Sequence, residues 1–595
     1  MTITSTQKTE ILKIAIGLFN AAPGCNYLCE MTNLVEDGMT ISQLADTLAA
    51  HPFFTDRMMA GRATTESQVA VLMDNFELMV DDTSTSAGSQ AQVYFTNLIS
   101  SGVGFGQIVY QAVKYLSDTP APEFWRTAGL LDEKAVVAGD YSREHSSDDL
   151  SVLQNVLSGV FYSDPGLYDP VPSGTFVLTA GPDTIVGYDY SDTIIGDNTS
   201  INNSDRIDGG NGIDVFKVFV SFNAATNQLP TISNVETIYF VSLEDMDQDF
   251  SALTQATTGI DKIIIGNAST LNGKTITTTS GQSLSLASST ATAGAVRWSA
   301  GTTDTTLNLV LEGYQITATG TALSALTITG AAATTLNIDS AGATNQIGTF
   351  TGPATVGYHV ITGDQSLIYT LAAADVTALN SINASANMGG VTVFGNAGVT
   401  RSGFVFTGGC SKDTITFADN EFTILTNGTQ LNGGNGTDKI GLSDTVISAA
   451  EAAKIQAAIG FEKIGLNADI TLNASVLSNY KIFDIDTPEL TQVINNLATG
   501  STVNIGIGAR TPFTATSLTI AGAPGVNDVT INLGGAGDLN AHTISTLVTT
   551  GLTDIKIYSL GTVANSDNSN FTITGVRDLS ISLAASTAIN SQVDA

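Results

Sequence analysis

The first 160 residues carry apolar positions at the spacing of amphipathic helices. One stripe recurs at positions i, i+3, i+4 and i+7 and consists of Ile11, Ile14, Ala15 and Leu18. Thr40 and Gln43 form a capping-box pattern ahead of a second stripe. Further stripes lie within residues 69–76 and 105–116. The pattern predicts a compact helical domain over residues 1–160, followed by a linker at 161–174.

Beyond the linker, apolar and polar positions alternate in short runs. Residues 306–311 and 326–330 show this alternation, which is typical of strands that bury one face. Thr, Ser, Ala, Ile, Val and Asn dominate here, a mixture that suits short strands and turns. Strands of this kind bury their apolar faces by stacking on neighbouring units. We therefore predict an α+β multidomain fold with a β-solenoid or β-roll, divided into residues 175–405 and 406–595.

Residues 181–216 repeat a short pattern of glycine and aspartate. Each aspartate is followed within two residues by an apolar residue, at Asp183, Asp192, Asp205 and Asp214. The aspartates are 9, 13 and 9 residues apart, so a nine-residue period is interrupted once by four residues. Glycine lets the backbone bend so that carbonyl oxygens converge, and carboxylates supply negative charge. The segment predicts solenoid turns that hold a hard cation.

A second cluster lies at residues 408–415 and 433–440. The pattern Gly-Gly-x-Gly-x-Asp-x-apolar is complete at 209–216 and 433–440 and partial at 187–194 and 408–415. These segments resemble the nonapeptide repeats of the repeats-in-toxin family, which bind Ca²⁺ in a parallel β-roll. The alternative is that they are only Gly-Asn-Asp turns between strands. The nine-residue phase favours calcium turns.

The resemblance implies Ca²⁺ as the cofactor. Its ligands would come from Asp183, Asp189, Asp192, Asp205, Gly209, Asn211, Asp214, Gly408, Asp413, Gly433, Asn435 and Asp438. Without an ion these carboxylates would repel one another in adjacent coils, so folding would depend on Ca²⁺.

Other acidic segments are weaker candidates. Residues 231–240 and 459–466, which follow the two clusters, share the order apolar, Glu, x, apolar and are predicted as strands. Residues 244–249 resemble the start of an EF-hand loop, but Phe250 stands where that loop has glycine. We interpret this segment as a solvated acidic loop rather than a Ca²⁺ site.

Charge and motif content narrow the function classes. The 595 residues carry a formal net charge of -34, which disfavours binding to nucleic acid or to anionic lipid headgroups. The sequence contains no stretch of about 20 apolar residues, so it predicts no membrane span. The four histidines stand apart, and neither H-E-x-x-H nor G-x-S-x-G occurs. An enzyme is therefore not expected.

The three cysteines are too few for a disulfide scaffold. Cys25 and Cys29 lie four residues apart, so a local disulfide and a pair of free thiols both remain open, whereas a metal site is not expected. Residues 14–22 form a short apolar run that we interpret as part of a domain helix rather than a signal peptide. We therefore expect no cleaved N-terminal leader.

Residues 26–58 are similar to the helical N-terminal domains that precede repeats-in-toxin regions in bacterial surface-layer (S-layer) proteins. The resemblance implies a structural protein that is secreted by a type I system and self-assembles into a calcium-dependent two-dimensional lattice. The helical domain would anchor it to lipopolysaccharide or another cell-surface glycan. The alternative is a secreted calcium-dependent adhesin or glycan-binding protein. Adhesins are typically longer and expose aromatics to sugars, whereas this chain has two Trp residues.

Overall fold

The fold is taken from a computed structural model of the chain. It describes residues 3–36, 38–79, 86–118, 120–145, 147, 149–160, 174–188, 191–220, 230–242, 247–250, 259–266, 273–287, 296–314, 325–330, 332–372, 378–395, 403–418, 430–485, 491–506, 514–515, 517–523, 528–533, 543–544, 547–550, 552, 554–559, 568–574, 578–582 and 588–594.

The N-terminal region is helical, as predicted. Its α-helices are α1 (Ser5–Phe19), α2 (Gly24–Glu36), α3 (Ile41–Ala49), α4 (Thr65–Asn75), α5 (Ala87–Ser100), α6 (Phe105–Ser117), α7 (Trp125–Glu144) and α8 (Leu150–Asn155). A π-helix (Phe53–Met58) and a 3₁₀-helix (Pro122–Phe124) complete the region. Thr40 and Gln43 form the predicted capping box at the start of α3. No described helix is long and apolar enough to cross a membrane.

Helix α1 lies at the centre of the helical core. Its predicted apolar stripe is fully buried, and α1 packs against α3, α6 and α7. Lys134 on α7 is also buried, with its Nζ 2.5 Å from Oε1 of Glu77 and 2.9 Å from Oδ1 of Asn20. The ion pair and hydrogen bond satisfy the buried ammonium group, which would otherwise be costly to desolvate.

The rest of the chain forms a parallel β-solenoid, as predicted. A 12-stranded sheet consists of β1 (Thr175–Val177), β3 (Thr193–Asp197), β5 (Val215–Val220), β7 (Thr237–Ser242), β9 (Lys262–Ile265), β11 (Ser283–Ala287), β13 (Thr306–Glu312), β15 (Thr335–Ala341), β17 (Tyr358–Gly363), β19 (Ser381–Asn387), β21 (Val405–Thr407) and β23 (Leu431–Asn432). A short sheet beside its first strands consists of β2 (Thr184–Val186), β4 (Arg206–Asp208) and β6 (Thr231–Ser233).

A 15-stranded sheet consists of β8 (Gln248–Asp249), β10 (Thr275–Thr277), β12 (Val296–Ser299), β14 (Ala325–Thr329), β16 (Asn345–Thr351), β18 (Leu367–Leu371), β20 (Val391–Phe394), β22 (Thr414–Phe417), β24 (Lys439–Leu442), β25 (Lys463–Leu466), β27 (Ile482–Ile485), β29 (Ser501–Ile505), β32 (Asp528–Leu533), β35 (Asp554–Ser559) and β37 (Asp578–Ser582). From β8 to β24 the chain alternates between this sheet and the 12-stranded one, so each coil contributes one strand to each sheet.

Two smaller parallel sheets lie in the C-terminal part. One consists of β26 (Thr471–Asn473), β28 (Thr491–Leu497), β31 (Ser517–Gly522), β34 (Leu547–Thr550), β36 (Asn568–Thr574) and β38 (Ala588–Asp594). The other pairs β30 (Thr514–Ala515) with β33 (Thr543–Ile544). Helix α9 (Ala449–Gln456) and a 3₁₀-helix (Ala474–Leu477) are inserted between strands in this part.

In-register pairing stacks apolar side chains into columns along the solenoid. One column runs through Ile194, Phe216, Ile238, Ile263, Leu284, Leu309, Ile338 and Ile361, all buried. One hydrophobic cluster extends from Leu178 to Ile557 and crosses residue 405. Each coil therefore covers the apolar face of the previous one, as expected for a repeat structure.

The helical region is joined to the solenoid by a long-range disulfide. Cys29 on α2 is bonded to Cys410, which is 381 residues further along the chain, with the two Cα atoms 5.6 Å apart. Cys25 is free, and all three cysteines are among the described residues. Both alternatives left open for Cys25 and Cys29 are therefore wrong. Spacing within the sequence could not reveal a partner that only the folded chain brings close.

Candidate metal sites

The aspartates of the first cluster stack in two columns, one coil apart. The N–H of Asp183 donates to Oδ1 of Asp205 (2.9 Å), and the N–H of Asp192 donates to Oδ1 of Asp214 (2.6 Å). Each pair is 22 residues apart, which is the length of one coil. The spacings of 9, 13 and 9 therefore arise from two strands per coil, joined by a shorter and a longer connection. The four extra residues belong to the regular coil.

The second cluster forms a similar column. The N–H of Asp413 donates to Oδ1 of Asp438 (2.7 Å), and Oδ1 of Asp413 accepts from the N–H of Val391 (2.6 Å). Asp413 and Asp438 precede β22 and β24, which pair in register. Both residues are fully buried.

Each column that holds a complete turn ends at a glutamate that the sequence analysis did not identify. Oε2 of Glu236 accepts from the N–H of Asp214, and Oε2 of Glu462 accepts from the N–H of Asp438, both at 2.8 Å. The interval of about one coil, 22 and 24 residues, is the signal that could have identified them. The segment 231–240, predicted as one strand, forms two strands, β6 and β7. The chain turns between them at Asn234, which lies in the left-handed region (φ 50°).

The partial turns satisfy their carboxylates with backbone N–H groups. Oδ2 of Asp192 accepts from Tyr188 (2.6 Å), and its Oδ1 accepts from Gly174. Oδ2 of Asp413 accepts from Gly409 (2.6 Å), in addition to the bond from Val391 to Oδ1. All four carboxylate oxygens therefore have donors within the protein.

The complete turns each leave one carboxylate oxygen without a donor. Oδ2 of Asp214 and Oδ2 of Asp438 are buried and have no hydrogen-bond partner within the described part of the chain. Both side chains are 0% exposed. An unpaired buried carboxylate oxygen is costly, because burial removes its water without replacing the hydrogen bond.

The conformation of the second glycine, and not its presence alone, distinguishes the complete turns, because the partial turn 408–413 also has a second glycine, Gly409, without a positive φ. Gly210 and Gly434 both have φ +91°, and their N–H groups donate to Oδ1 of Asp208 (3.2 Å) and Oδ1 of Asn432 (3.0 Å). The corresponding N–H in the partial turns, at Tyr188 and Gly409, donates to the turn's own aspartate. In the left-handed region, the N–H of the second glycine therefore points away from the carboxylate. A tyrosine such as Tyr188 rarely adopts this backbone conformation.

The first glycine of each complete turn makes room for two oxygens. A β carbon on Gly209 would lie 2.0 Å from the carbonyl oxygen of Asn234 and 2.5 Å from Oδ2 of Asp214. On Gly433 it would lie 1.9 Å from the carbonyl oxygen of Gly460 and 2.7 Å from Oδ2 of Asp438. In both turns the orphaned carboxylate oxygen and a carbonyl oxygen of the next coil therefore converge.

Burial and like charge disfavour ionisation of these aspartates in the absence of a cation. Burial raises the pKa of Asp438 to about 9, with further contributions from the charges of Asp413 and Glu462. Burial also raises the pKa of Asp413 to about 7. The pKa of Asp214 is raised by burial and by the neighbouring charges of Glu236 and Asp192. A bound divalent cation would reverse these effects by stabilising the charged carboxylates.

The remaining predicted ligands lie around these turns. Asp183 accepts from the N–H and hydroxyl of Thr179, and Asp205 accepts from the N–H groups of Asp183 and Asn202. The N–H groups of Asn211 and Asn435 donate to the carbonyls of Tyr188 and Gly409 in the previous coil (3.3 and 3.0 Å). Gly187 and Gly408 occupy the first-glycine position of the partial turns, where a β carbon would contact the aspartate and the next coil.

One predicted ligand and part of one acidic segment lie outside the described residues. Asp189 lies outside the described residues, so its part in ion binding stays a prediction. The acidic segment 244–249 is described only from Asp247, whose Oδ1 accepts from the N–H of Thr275 (2.7 Å). Among the described residues, no three His, Cys, Asp or Glu side chains gather at one point that could hold a metal. A cation at Asp214 or Asp438 would therefore depend on backbone carbonyls for much of its coordination.

Comparison of this chain with protein-family models and with curated proteins found no match.

Proposed function

We propose that the turns at Asp214 and Asp438 bind Ca²⁺ and that the chain is a structural protein of a calcium-dependent surface layer. The observation that carries the calcium proposal is the pair of buried carboxylate oxygens without donors, Oδ2 of Asp214 and of Asp438. A cation on these oxygens would replace the missing donor and offset the repulsion within each carboxylate column.

The donor chemistry favours Ca²⁺ over other common metals. The converging atoms are carboxylate and carbonyl oxygens, which suit hard cations, whereas Zn²⁺ prefers nitrogen and sulfur. Ca²⁺ accepts irregular oxygen sets at 2.3–2.6 Å, whereas Mg²⁺ demands a near-ideal octahedron and usually retains several waters. A turn in which a carboxylate oxygen and a backbone carbonyl oxygen converge therefore fits Ca²⁺ best.

The lattice proposal rests on the resemblance to surface-layer proteins together with the solenoid and its charge. A net charge of -34 disfavours association between copies unless cations screen it. Ca²⁺ would rigidify the coils and bridge acidic faces of neighbouring subunits. We further propose that the helical region anchors the layer to lipopolysaccharide or another cell-surface glycan, and that the protein leaves the cell by a type I system.

Electron microscopy of the purified protein tests this function. We expect two-dimensional arrays in millimolar Ca²⁺, dispersal on chelation, and no arrays when Mg²⁺ replaces Ca²⁺ at the same ionic strength. Arrays that persist after chelation would contradict calcium-dependent assembly. A protein that gains stability from Ca²⁺ but stays monomeric would contradict the lattice and favour the secreted adhesin.

A further inference from the structure

We propose that the Cys29–Cys410 disulfide and Ca²⁺ at Asp438 stabilise each other, so that the helical region controls calcium affinity at one of the two sites. The inference rests on the proposed calcium function. It adds a redox-sensitive link between the helical region and the solenoid.

Helix α2 holds the partial turn 408–413 at two points. Cys29 is bonded to Cys410, and Nδ2 of Asn33, one helical turn further along, donates to the carbonyl of Cys410 (2.9 Å). Cys29 and Cys410 are 1% and 7% exposed, and both pack in the hydrophobic core of the helical region. The partial turn is therefore part of the interface between the helical region and the solenoid.

The opposite side of this turn forms part of the Asp438 site. The N–H of Asp413 donates to Oδ1 of Asp438 (2.7 Å), and the carbonyl of Gly409 accepts from the N–H of Asn435 (3.0 Å). A β carbon on Gly436 would lie 2.5 Å from the carbonyl oxygen of Ser411 and 3.2 Å from Oδ1 of Asp438. A shift of the turn would therefore move the donors and the wall that orient the Asp438 carboxylate.

The Asp214 site provides an internal comparison. Its complete turn has the same glycine geometry and the same orphaned carboxylate oxygen. The partial turn that precedes it, residues 187–192, contains no cysteine, and Asp189 occupies the position that corresponds to Cys410. A disulfide to the helical region can therefore affect the Asp438 site directly and the Asp214 site only through the whole fold.

Thermodynamic linkage makes the coupling reciprocal. If the disulfide raises the Ca²⁺ affinity of the Asp438 site, bound Ca²⁺ must stabilise the disulfide against reduction by the same factor. Reduction by dithiothreitol transfers two electrons and two protons to the Cys29–Cys410 bond, which gives two thiols and the cyclic disulfide of the reagent. We expect Ca²⁺ to slow or disfavour this step.

Calorimetric titration with Ca²⁺ tests the inference when the two sites are separated by mutation. Asp214→Asn retains the Asp438 site, and Asp438→Asn retains the Asp214 site. We expect Cys29→Ser to weaken Ca²⁺ binding about fivefold or more in the Asp214→Asn background and to leave it unchanged in the Asp438→Asn background. Cys25→Ser, which changes the free cysteine of the same helix, is the matched control and should change neither.

An equal loss at both sites, or no loss at the Asp438 site, would overturn the coupling. If neither single-site variant binds Ca²⁺ at all, the proposed calcium function itself fails, which is a different result. Should Cys29→Ser not fold, Asn33→Ala with the disulfide intact gives the same comparison, and it should weaken only the Asp438 site. Thiol trapping after dithiothreitol treatment supplies the reciprocal readout, and reduction that is indifferent to Ca²⁺ would also overturn the inference.

Discussion

At the residue scale, one backbone N–H distinguishes the complete turns, 209–214 and 433–438, from the partial turns, 187–192 and 408–413. We call the complete turns open, because one carboxylate oxygen has no donor, and the partial turns closed. In the closed turns the residue after the first glycine donates to the turn's aspartate, as Tyr188 does to Asp192. In the open turns Gly210 and Gly434 adopt φ +91° and donate to side chains two residues earlier. The consensus pattern therefore has a physical content, since the turns that carry all its glycines have the second and third in the left-handed region and leave a carboxylate oxygen available for an ion, whereas Gly409, followed by Ser411 instead of the third glycine, does not.

The first glycine gives a direct test of the crowding at the Asp438 site. We expect Gly433→Ala to lower the free energy of unfolding by about 1–3 kcal/mol and to abolish Ca²⁺ binding at this site, because its β carbon would collide with the carbonyl of Gly460 and with Asp438. Gly403→Ala is the matched control, because a β carbon there meets open space. Denaturant unfolding with and without Ca²⁺ measures both. A Gly433→Ala protein that binds Ca²⁺ normally would contradict the proposed site.

A buried histidine should make stability depend on pH independently of the candidate ion sites. Burial lowers the pKa of His359 from 6.5 to about 4. The folded state therefore prefers the neutral ring. The contribution of this neutral ring to the free energy of unfolding is complete above pH 6.5. It falls by about 3 kcal/mol as the pH drops toward 4. We expect His359→Gln to lose less stability than the parent between pH 7 and pH 4.5 in urea titrations. Parallel losses in the two proteins would contradict this explanation.

At the scale of elements, the repeat unit is the coil of two strands. The sequence predicted the helices, the strands and the glycine-aspartate turns, because each depends on residues that are close together in the chain. Because the aspartates were compared at a nine-residue period, the interval of about 22 residues was not recognised. This interval stacks Asp192 on Asp214 and Asp214 on Glu236. The two glutamates were therefore assigned to strands, although they end the carboxylate columns.

The conformation of the open turn at Asp438 can be tested by removing the Asn432 side chain, which accepts the hydrogen bond of the Gly434 N–H. We expect Asn432→Ala to let the N–H of Gly434 turn toward Asp438, as Gly409 does toward Asp413. Ca²⁺ affinity at this site should fall about fivefold to tenfold, since a hydrogen bond contributes about 1 kcal/mol, while the ion-free protein stays folded. Asn473→Ala removes a similar local bond, to the N–H of Ser475, at a side chain whose hydrogen bonds go to Ser475 and Asn496 and to neither complete turn, and it should leave calorimetric Ca²⁺ binding unchanged. Equal effects of the two substitutions would contradict the role of Asn432.

At the scale of the whole molecule, the helical region is attached part-way along the solenoid. Besides the disulfide, Nζ of Lys8 lies 3.7 Å from Oδ2 of Asp364, and Met388 packs in the helical core. These contacts join residues that are hundreds of positions apart, so no local pattern in the sequence could predict them. They place the helical region and the complete turn at 433–438 in one connected structure.

We propose that the open turns, and not the closed ones, hold Ca²⁺. The most direct measurement is thermal unfolding in Ca²⁺ and in chelator for two double variants with the same change of charge. We predict that Asp214→Asn/Asp438→Asn loses most of the stabilisation by Ca²⁺. Asp192→Asn/Asp413→Asn should instead unfold at a lower temperature in both conditions and keep its response to Ca²⁺. A full calcium response in the first variant would mean that Ca²⁺ does not bind at Asp214 and Asp438.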